Sequence, residues 1–315
     1  METLLGYGDF RYAESPSWGE LPEGMSYREV PDVAIGPDDR VYVFSRGAHK
    51  MIVFDRQGHL LTSWGEDVFT RPHGLSLSHD GNLWCVDDGD HSVRKCSLDG
   101  EVLMTLGEPG NPAPFGSGQP FNRPTKVAEA PGSHNLYISD GYGNGRVHKY
   151  SPEGELLFSW GAFGTGPGEF NLVHMVSTDA QGYVYIADRE NHRIQVFDPD
   201  GAYVREWRTH LHRPCGLDIS PEQLVYIGQL GTALPVNHDY PNLGARVSIH
   251  TLNGELIAWL GADRPGLAPG QFLAPHGLAV DSHGDIYVGE VSYTDYGSKQ
   301  DPPREVRSLR KLVRL

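Results

Sequence analysis

"RPHGLSLSHDGNLWCVDD" occupies Arg71 to Asp88, and "APHGLAVDSHGDIYVGE" occupies Ala274 to Glu290. Each reads Pro-His-Gly-Leu, a short apolar strand, a polar turn with glycine, and a second apolar strand. Apolar runs bounded by Gly and Asp are a hairpin signal, and the return of the same hairpin far along the chain points to an internal repeat. Working outward, six units align, beginning at Val30, Arg71, Arg123, Leu172, Arg213 and Ala274. Each holds strand, turn, strand, loop, strand, "D-x-x-G"-type turn, strand. Four strands in roughly 40 to 50 residues is the pattern of a propeller blade, because one such sheet cannot bury both its faces alone. The sequence therefore predicts an all-β, six-bladed β-propeller forming a single domain over residues 1–315. The last unit lacks a fourth strand, while "GDFRYAE" (Gly8 to Glu14) is an unassigned strand at the start. Pairing the two would close the ring and remove an exposed edge.

Composition narrows the function. The 315 residues carry a formal charge of −15, with 39 Gly and 23 Pro suiting many short strands and turns. Nucleic acid and anionic membranes are disfavoured as partners, since both call for a basic face. "METLLGYGDFRYAE" has no basic segment followed by an apolar one, so it does not read as a secretory signal. No run approaches the length of a membrane span. Three cysteines, Cys85, Cys96 and Cys215, are odd in number and lack CxxC spacing, which suits a reducing compartment. A cytoplasmic location is expected. Nothing in the sequence fixes an oligomeric state.

The repeat accounts for the hairpins but not for the histidines. There are 15 of them. His49, His91 and His192 share one repeat position, and His59, His79, His134 and His283 sit in turns; these read as structural or exposed. The position ahead of each first strand differs, holding Asp32, His73, Thr125, His174, Cys215 and His276 in turn. The histidines fall on alternate blades, 101 and 102 residues apart. In a six-bladed ring such positions converge on the axis at one height. Three neutral imidazoles with an open position are the ligand set of a catalytic zinc site. The loops after the second strands return to the same end, and they contain "FSRGAHK" with Arg46, "SDGYGNGR" with Tyr142 and "ADRENHR" with Arg189. Two arginines and a phenol beside a metal suggest a small-molecule substrate bearing a carboxylate.

"DRENHRIQVFDPDG" (Asp188 to Gly201) resembles the NHL repeat. "PHGLS", "SDGYGNGR", "ADRENHRIQ" and "PHGLA", in that order between Val30 and Glu290, resemble the peptidyl-α-hydroxyglycine α-amidating lyase family. That resemblance implies zinc held by His73, His174 and His276, with Tyr142, Arg46 and Arg189 in the active site. The implied reaction cleaves the C–N bond of an α-hydroxyglycine to an amide and glyoxylate. Tyr142 would be the base, Arg189 its cationic neighbour, and Arg46 the grip on the substrate carboxylate. The family also has a structural calcium. Here Gly277 stands where the family has a ligand Asp, leaving backbone oxygens near Val33 and Leu75. A disulfide of the family's secreted members would join the positions of Asn122 and Gly143. The insertion Leu230 to Arg246 is expected to overhang one face and reshape substrate choice. The alternatives are a metal-dependent hydrolase or lactonase on the same propeller, and a non-catalytic NHL interaction scaffold.

Overall fold

The computed structural model describes residues 3–237 and 240–315. Among the described residues, five four-stranded antiparallel sheets are each built from consecutive strands, and a sixth joins the last strands of the chain to its first ones. This is the six-bladed β-propeller the repeats predict, and we number the blades in chain order. Among the described residues the one α-helix is the single turn Ser292–Asp295, and no helix is long and apolar enough to cross a membrane. By its internal contacts the chain divides into two units, Asp67–Gln223 and Met1–Glu66 with Leu224–Leu315.

The unit Asp67–Gln223 contains blades 2, 3 and 4. Their first strands are Pro72–Leu77, Pro124–Glu129 and Val173–Thr178. Their second strands are Leu83–Asp87, Leu136–Asp140 and Val184–Asp188, and these are buried along their whole length. Both faces of a blade pack on neighbours, so these strands read as unbroken apolar runs instead of alternating ones. The seams show this directly. Trp84, Val86 and Val93 of blade 2 share one core with Val127, Leu136 and Ile138 of blade 3. Tyr137 and Val147 of blade 3 share another with Val184, Ile186 and Phe197 of blade 4. Each fully buried side chain of this size stabilises by about 1.5–3 kcal/mol. The fourth strands, such as Leu156–Trp160, lie at the rim and are largely exposed. The turn before them closes on a glycine with positive φ, as at Gly100 (95°) and Gly201 (80°), whose N–H bonds the carbonyl three residues back. A side chain there would be strained, which is why the "D-x-x-G" signal recurs.

The unit Met1–Glu66 with Leu224–Leu315 contains blades 1 and 6 and the last three strands of blade 5. Blade 6 supplies Pro275–Val280, Ile286–Glu290 and Leu309–Arg314 from the C-terminal part of the chain. Its next strand is Phe10–Ser15, paired antiparallel with Leu309–Arg314 (Tyr12 opposite Arg314, Ser15 opposite Lys311). The N-terminal strand thus completes the last blade, as its sequence predicts. Glu14 anchors it, accepting from Arg307 at 2.5 Å and from Arg310 at 2.6 Å. A further strand, Leu4–Tyr7, extends the sheet to five, and Leu5 and Tyr12 enter a core with Val247, Ile249, Val288 and Leu312. The insertion expected at Leu230 to Arg246 includes His238 and Asp239, which lie outside the described residues.

Candidate metal centre

In the unit Asp67–Gln223, His73 and His174 stand at the start of their first strands, both fully buried. His73 Nδ1 donates to the backbone carbonyl of Thr125 at 2.8 Å, and His174 Nδ1 to that of Cys215 at 3.0 Å. A carbonyl can only accept, so each Nδ1 carries the proton and each Nε2 presents a lone pair. Both Nε2 atoms lie 3.2 Å from the Tyr142 hydroxyl, with the imidazole centroids 5.0 Å apart. A phenol has one proton and can donate to one of these nitrogens only. Two imidazole lone pairs and a phenol oxygen facing one another are a donor set that suits a cation, and the Nδ1 bonds are the outer contacts that orient metal-binding histidines.

The glycine of Pro-His-Gly explains how His73 is held. A Cβ on Gly74 would collide with the Thr125 carbonyl, the same oxygen that accepts from His73. Bare backbone lets the next blade come close enough to lock the imidazole.

Tyr142 sits in the loop after the second strand of blade 3, under two guanidinium groups. Arg123 Cζ lies 4.4 Å from its ring centroid and Arg189 Cζ 5.7 Å, with Arg189 Nη1 at 3.4 Å from the hydroxyl oxygen. Burial works against charge on Arg189, but Tyr142, Cys215 and Glu190 outweigh it and raise its pKa further. Glu190 receives Arg189 Nε at 2.8 Å and Arg213 at 2.9 Å. Its carboxyl is lowered despite burial, through Arg213 first and then Arg189. Gly141 cannot be replaced without striking the Val173 backbone. Gly143 N donates to Asn122 O at 3.0 Å, so a hydrogen bond joins the two positions where secreted relatives would carry a disulfide. None of the three cysteines forms a disulfide, and all are buried. Cys215 Sγ is 3.4 Å from His174 Nδ1 and 3.6 Å from its Nε2, so the thiol lies against the imidazole near both nitrogens.

Two features here were not read from the sequence. Arg123 belongs to the "RP" that opens three of the units, and its positive φ of 62° turns the chain so that the guanidinium covers Tyr142 while its Nη2 bonds Asp88 at 2.7 Å. The second strands end in a buried acid whose carboxylate takes backbone N–H groups just ahead of the first strand. Asp87 holds Arg71 N at 2.9 Å, Asp140 holds Asn122 N at 3.1 Å and Asp188 holds Asn171 N at 2.8 Å. The signal is the repeated "VD", "SD" and "AD" at those ends.

The other unit repeats the arrangement around His276. This histidine is 2% exposed, and its Nδ1 donates to the Pro31 carbonyl at 2.7 Å. A Cβ on Gly277 would run into that carbonyl and into the Asp32 carboxylate. Glu290 closes the second strand and holds Leu273 N and Ala274 N at 2.7 and 3.0 Å. Arg46 is tied inward, with Nη1 2.8 Å from Glu29 Oε1 and side chains only 8% and 4% exposed. Glu29 also accepts from Thr294 N and Oγ1.

Calcium fits poorly. The Leu75 carbonyl accepts a 2.6 Å bond from the buried Lys126 ammonium, so a fixed positive charge already stands at one of the oxygens the resemblance would assign to calcium.

Comparison with known proteins agrees with this architecture. A family model described as NHL repeat matches residues 170–197. The chain is 37% identical to NHL repeat-containing protein 3 of Homo sapiens, over 92% of this chain and 82% of that protein. It is 29% identical to peptidyl-alpha-hydroxyglycine alpha-amidating lyase 1 of Drosophila melanogaster, over 75% of this chain and 45% of that one. Against peptidyl-glycine alpha-amidating monooxygenase B of Xenopus laevis it is 26% identical over 96% of its own length, and it spans 37% of that longer protein. Among solved structures, a gluconolactonase from Xanthomonas campestris superposes with a TM-score of 0.60 at 12% identity, over 97% of this chain and 90% of that one; this shows the fold alone. The chain belongs to the NHL-repeat propeller family, among relatives that include both NHL repeat-containing protein 3 and the amidating lyases.

Proposed function

We propose that the chain acts as one propeller domain in which His276 joins His73 and His174 to hold a zinc ion, and that it is a carbon–nitrogen lyase for α-hydroxyglycine-type carbinolamides. The observation that carries this is the triple lock: each histidine spends Nδ1 on a backbone carbonyl of the blade that follows, which fixes the ring and turns Nε2 the other way. Within the unit Asp67–Gln223 two Nε2 atoms converge on the Tyr142 oxygen, and His276 is buried and locked in the same manner in the other unit. The named lyase relatives support the same reading.

When bound, zinc supplies Lewis acidity that eases loss of the substrate's hydroxyl proton. Tyr142 would act in its phenolate form, taking that proton at the phenolate oxygen and handing it to the departing nitrogen. The C–N electron pair leaves with the nitrogen, the carbinol carbon becomes the aldehyde of glyoxylate, and the nitrogen is reprotonated to the amide, with no net water consumed. Arg189 and Arg123 keep positive charge beside the phenol oxygen. Arg46, oriented by Glu29, takes the substrate carboxylate. The substrate is a small N-acyl α-hydroxyglycine. Purified protein loaded with zinc should release glyoxylate from α-hydroxyhippurate. Ester or lactone hydrolysis without glyoxylate would replace this reading with the hydrolase one.

A further inference from the structure

The turn after the first strand of blade 2 and the corresponding part of blade 3 hold a second group of ligand-type side chains. His79 Nδ1 faces Glu129 Oε1, and His134 Nδ1 lies 3.1 Å from the same oxygen. The two imidazoles stack with centroids 3.6 Å apart and planes 16° from parallel. The other carboxylate oxygen, Oε2, accepts from Trp84 Nε1 at 3.3 Å and from His79 N at 3.4 Å. Oε2 is therefore occupied by N–H donors, which fixes the carboxylate and turns Oε1 to the imidazoles. The three ligand atoms all lie within 4.8 Å of one another. Lone pairs brought together in this way repel unless positive charge, as protons or as a metal ion, stands among them.

The surroundings favour a cation. The group opens on a cleft of about 510 Å³ whose lining includes Asp179 as a second carboxylate and neither lysine nor arginine. We propose that His79, Glu129 and His134 form a second metal site, for a zinc-class divalent ion, which clamps blade 2 to blade 3. The site stands at the far end of the first strand from His73, about 20 Å along a six-residue strand. Two imidazole nitrogens and one carboxylate select a transition-metal dication over calcium or magnesium, which take oxygen-rich sets. Trp84 serves as the outer contact that orients the carboxylate ligand. His79 is exposed and His134 half-buried, so the ion has an entry path and keeps positions open to water from the cleft.

The test uses the full chain and Zn²⁺ or Co²⁺ alone, by equilibrium dialysis and metal analysis. The decisive comparison is made in a His73→Gln/His174→Gln background, so that failure of the proposed histidine centre leaves the result readable. In that background one equivalent of metal should remain, with visible Co²⁺ absorption, and adding His79→Gln/His134→Asn should remove both. Asparagine is chosen because His134 has a φ of 55°, which Asn tolerates. If the quadruple variant fails to fold, the exposed single change His79→Gln should weaken binding roughly tenfold or more. Unchanged metal content on losing His79 and His134, or a folded background variant that holds no metal, would overturn the proposal.

Discussion

At the start of its strand His73 is fully buried, with Nδ1 spent on the Thr125 carbonyl; just past the end of the same strand His79 stands exposed, with Nδ1 turned to Glu129. The two ends use the same residue for different ends of the chemistry. A carbonyl partner can only accept, so it fixes the tautomer and leaves Nε2 as a permanent ligand pointing away from the backbone. A carboxylate partner is itself a potential ligand, so in the proposed second site it would share a cation with the imidazoles. Burial separates them too: His73 is packed inside the protein, whereas His79 stands at an exposed turn. At His73 and His174 a backbone carbonyl takes one nitrogen and the Tyr142 hydroxyl faces the other. His148, also fully buried, spends both on Ser159 and Asp140 and reads as structural.

The sharpest way to break the comparison is to remove a locked ligand. His73→Gln or His174→Gln should cost zinc affinity well beyond the roughly 10–100-fold lost with an outer-shell partner, while circular dichroism stays that of the parent. Retention of stoichiometric zinc at this centre by both variants would mean the locks serve packing. Next comes Tyr142→Phe, which keeps the ring under Arg123 and Arg189 and deletes the oxygen. Loss of a general base should lower kcat about 10²–10⁴-fold with little change in KM; near-normal kcat in steady-state assays would remove the phenol from the reaction. Arg46→Ala should be felt first as stability, because it strands the buried Glu29 charge. The expected cost is about 3–5 kcal/mol, seen as a lower denaturation midpoint, and Arg46→Ala/Glu29→Gln should recover part of it. If the double variant regains stability and also normal KM, Arg46 has no grip on the substrate. The mildest test touches no ligand: Gly74→Ala pushes against Thr125 O and should weaken zinc binding roughly 10–100-fold through His73 alone, measured by competition with a chelator.

Much of this was legible in the chain and some was not, for physical reasons. Blades are visible because each turn demands its own glycine or acid, and the demand recurs six times. The strand at Phe10–Ser15 was found by counting, since the last blade came up one short. Leu4–Tyr7 was missed because "LLGY" has no alternation and pairs only with Phe10–Ser15. The register of His73, His174 and His276 stood out as a departure from the repeat. Arg123 and the acids Asp87, Asp140 and Asp188 did not, because they obey it. The group at His79 was hidden differently: its members come from two turns and a strand end, 50 residues apart, and no periodicity links them. Nor does any pattern tie Arg46 to Glu29, which lies before the first unit begins.

The shared construction of blade 6 also has a consequence in time. Phe10–Ser15 leaves the ribosome about 300 residues ahead of its partner Leu309–Arg314. At ordinary synthesis rates that is a delay of roughly 15–60 s. Throughout it Leu5 and Tyr12 have no core to enter, and one strand edge waits unsatisfied. The nascent chain therefore passes through a stage in which Phe10–Ser15 is a sticky edge, and blade 6 closes after the five blades between its two parts have been made.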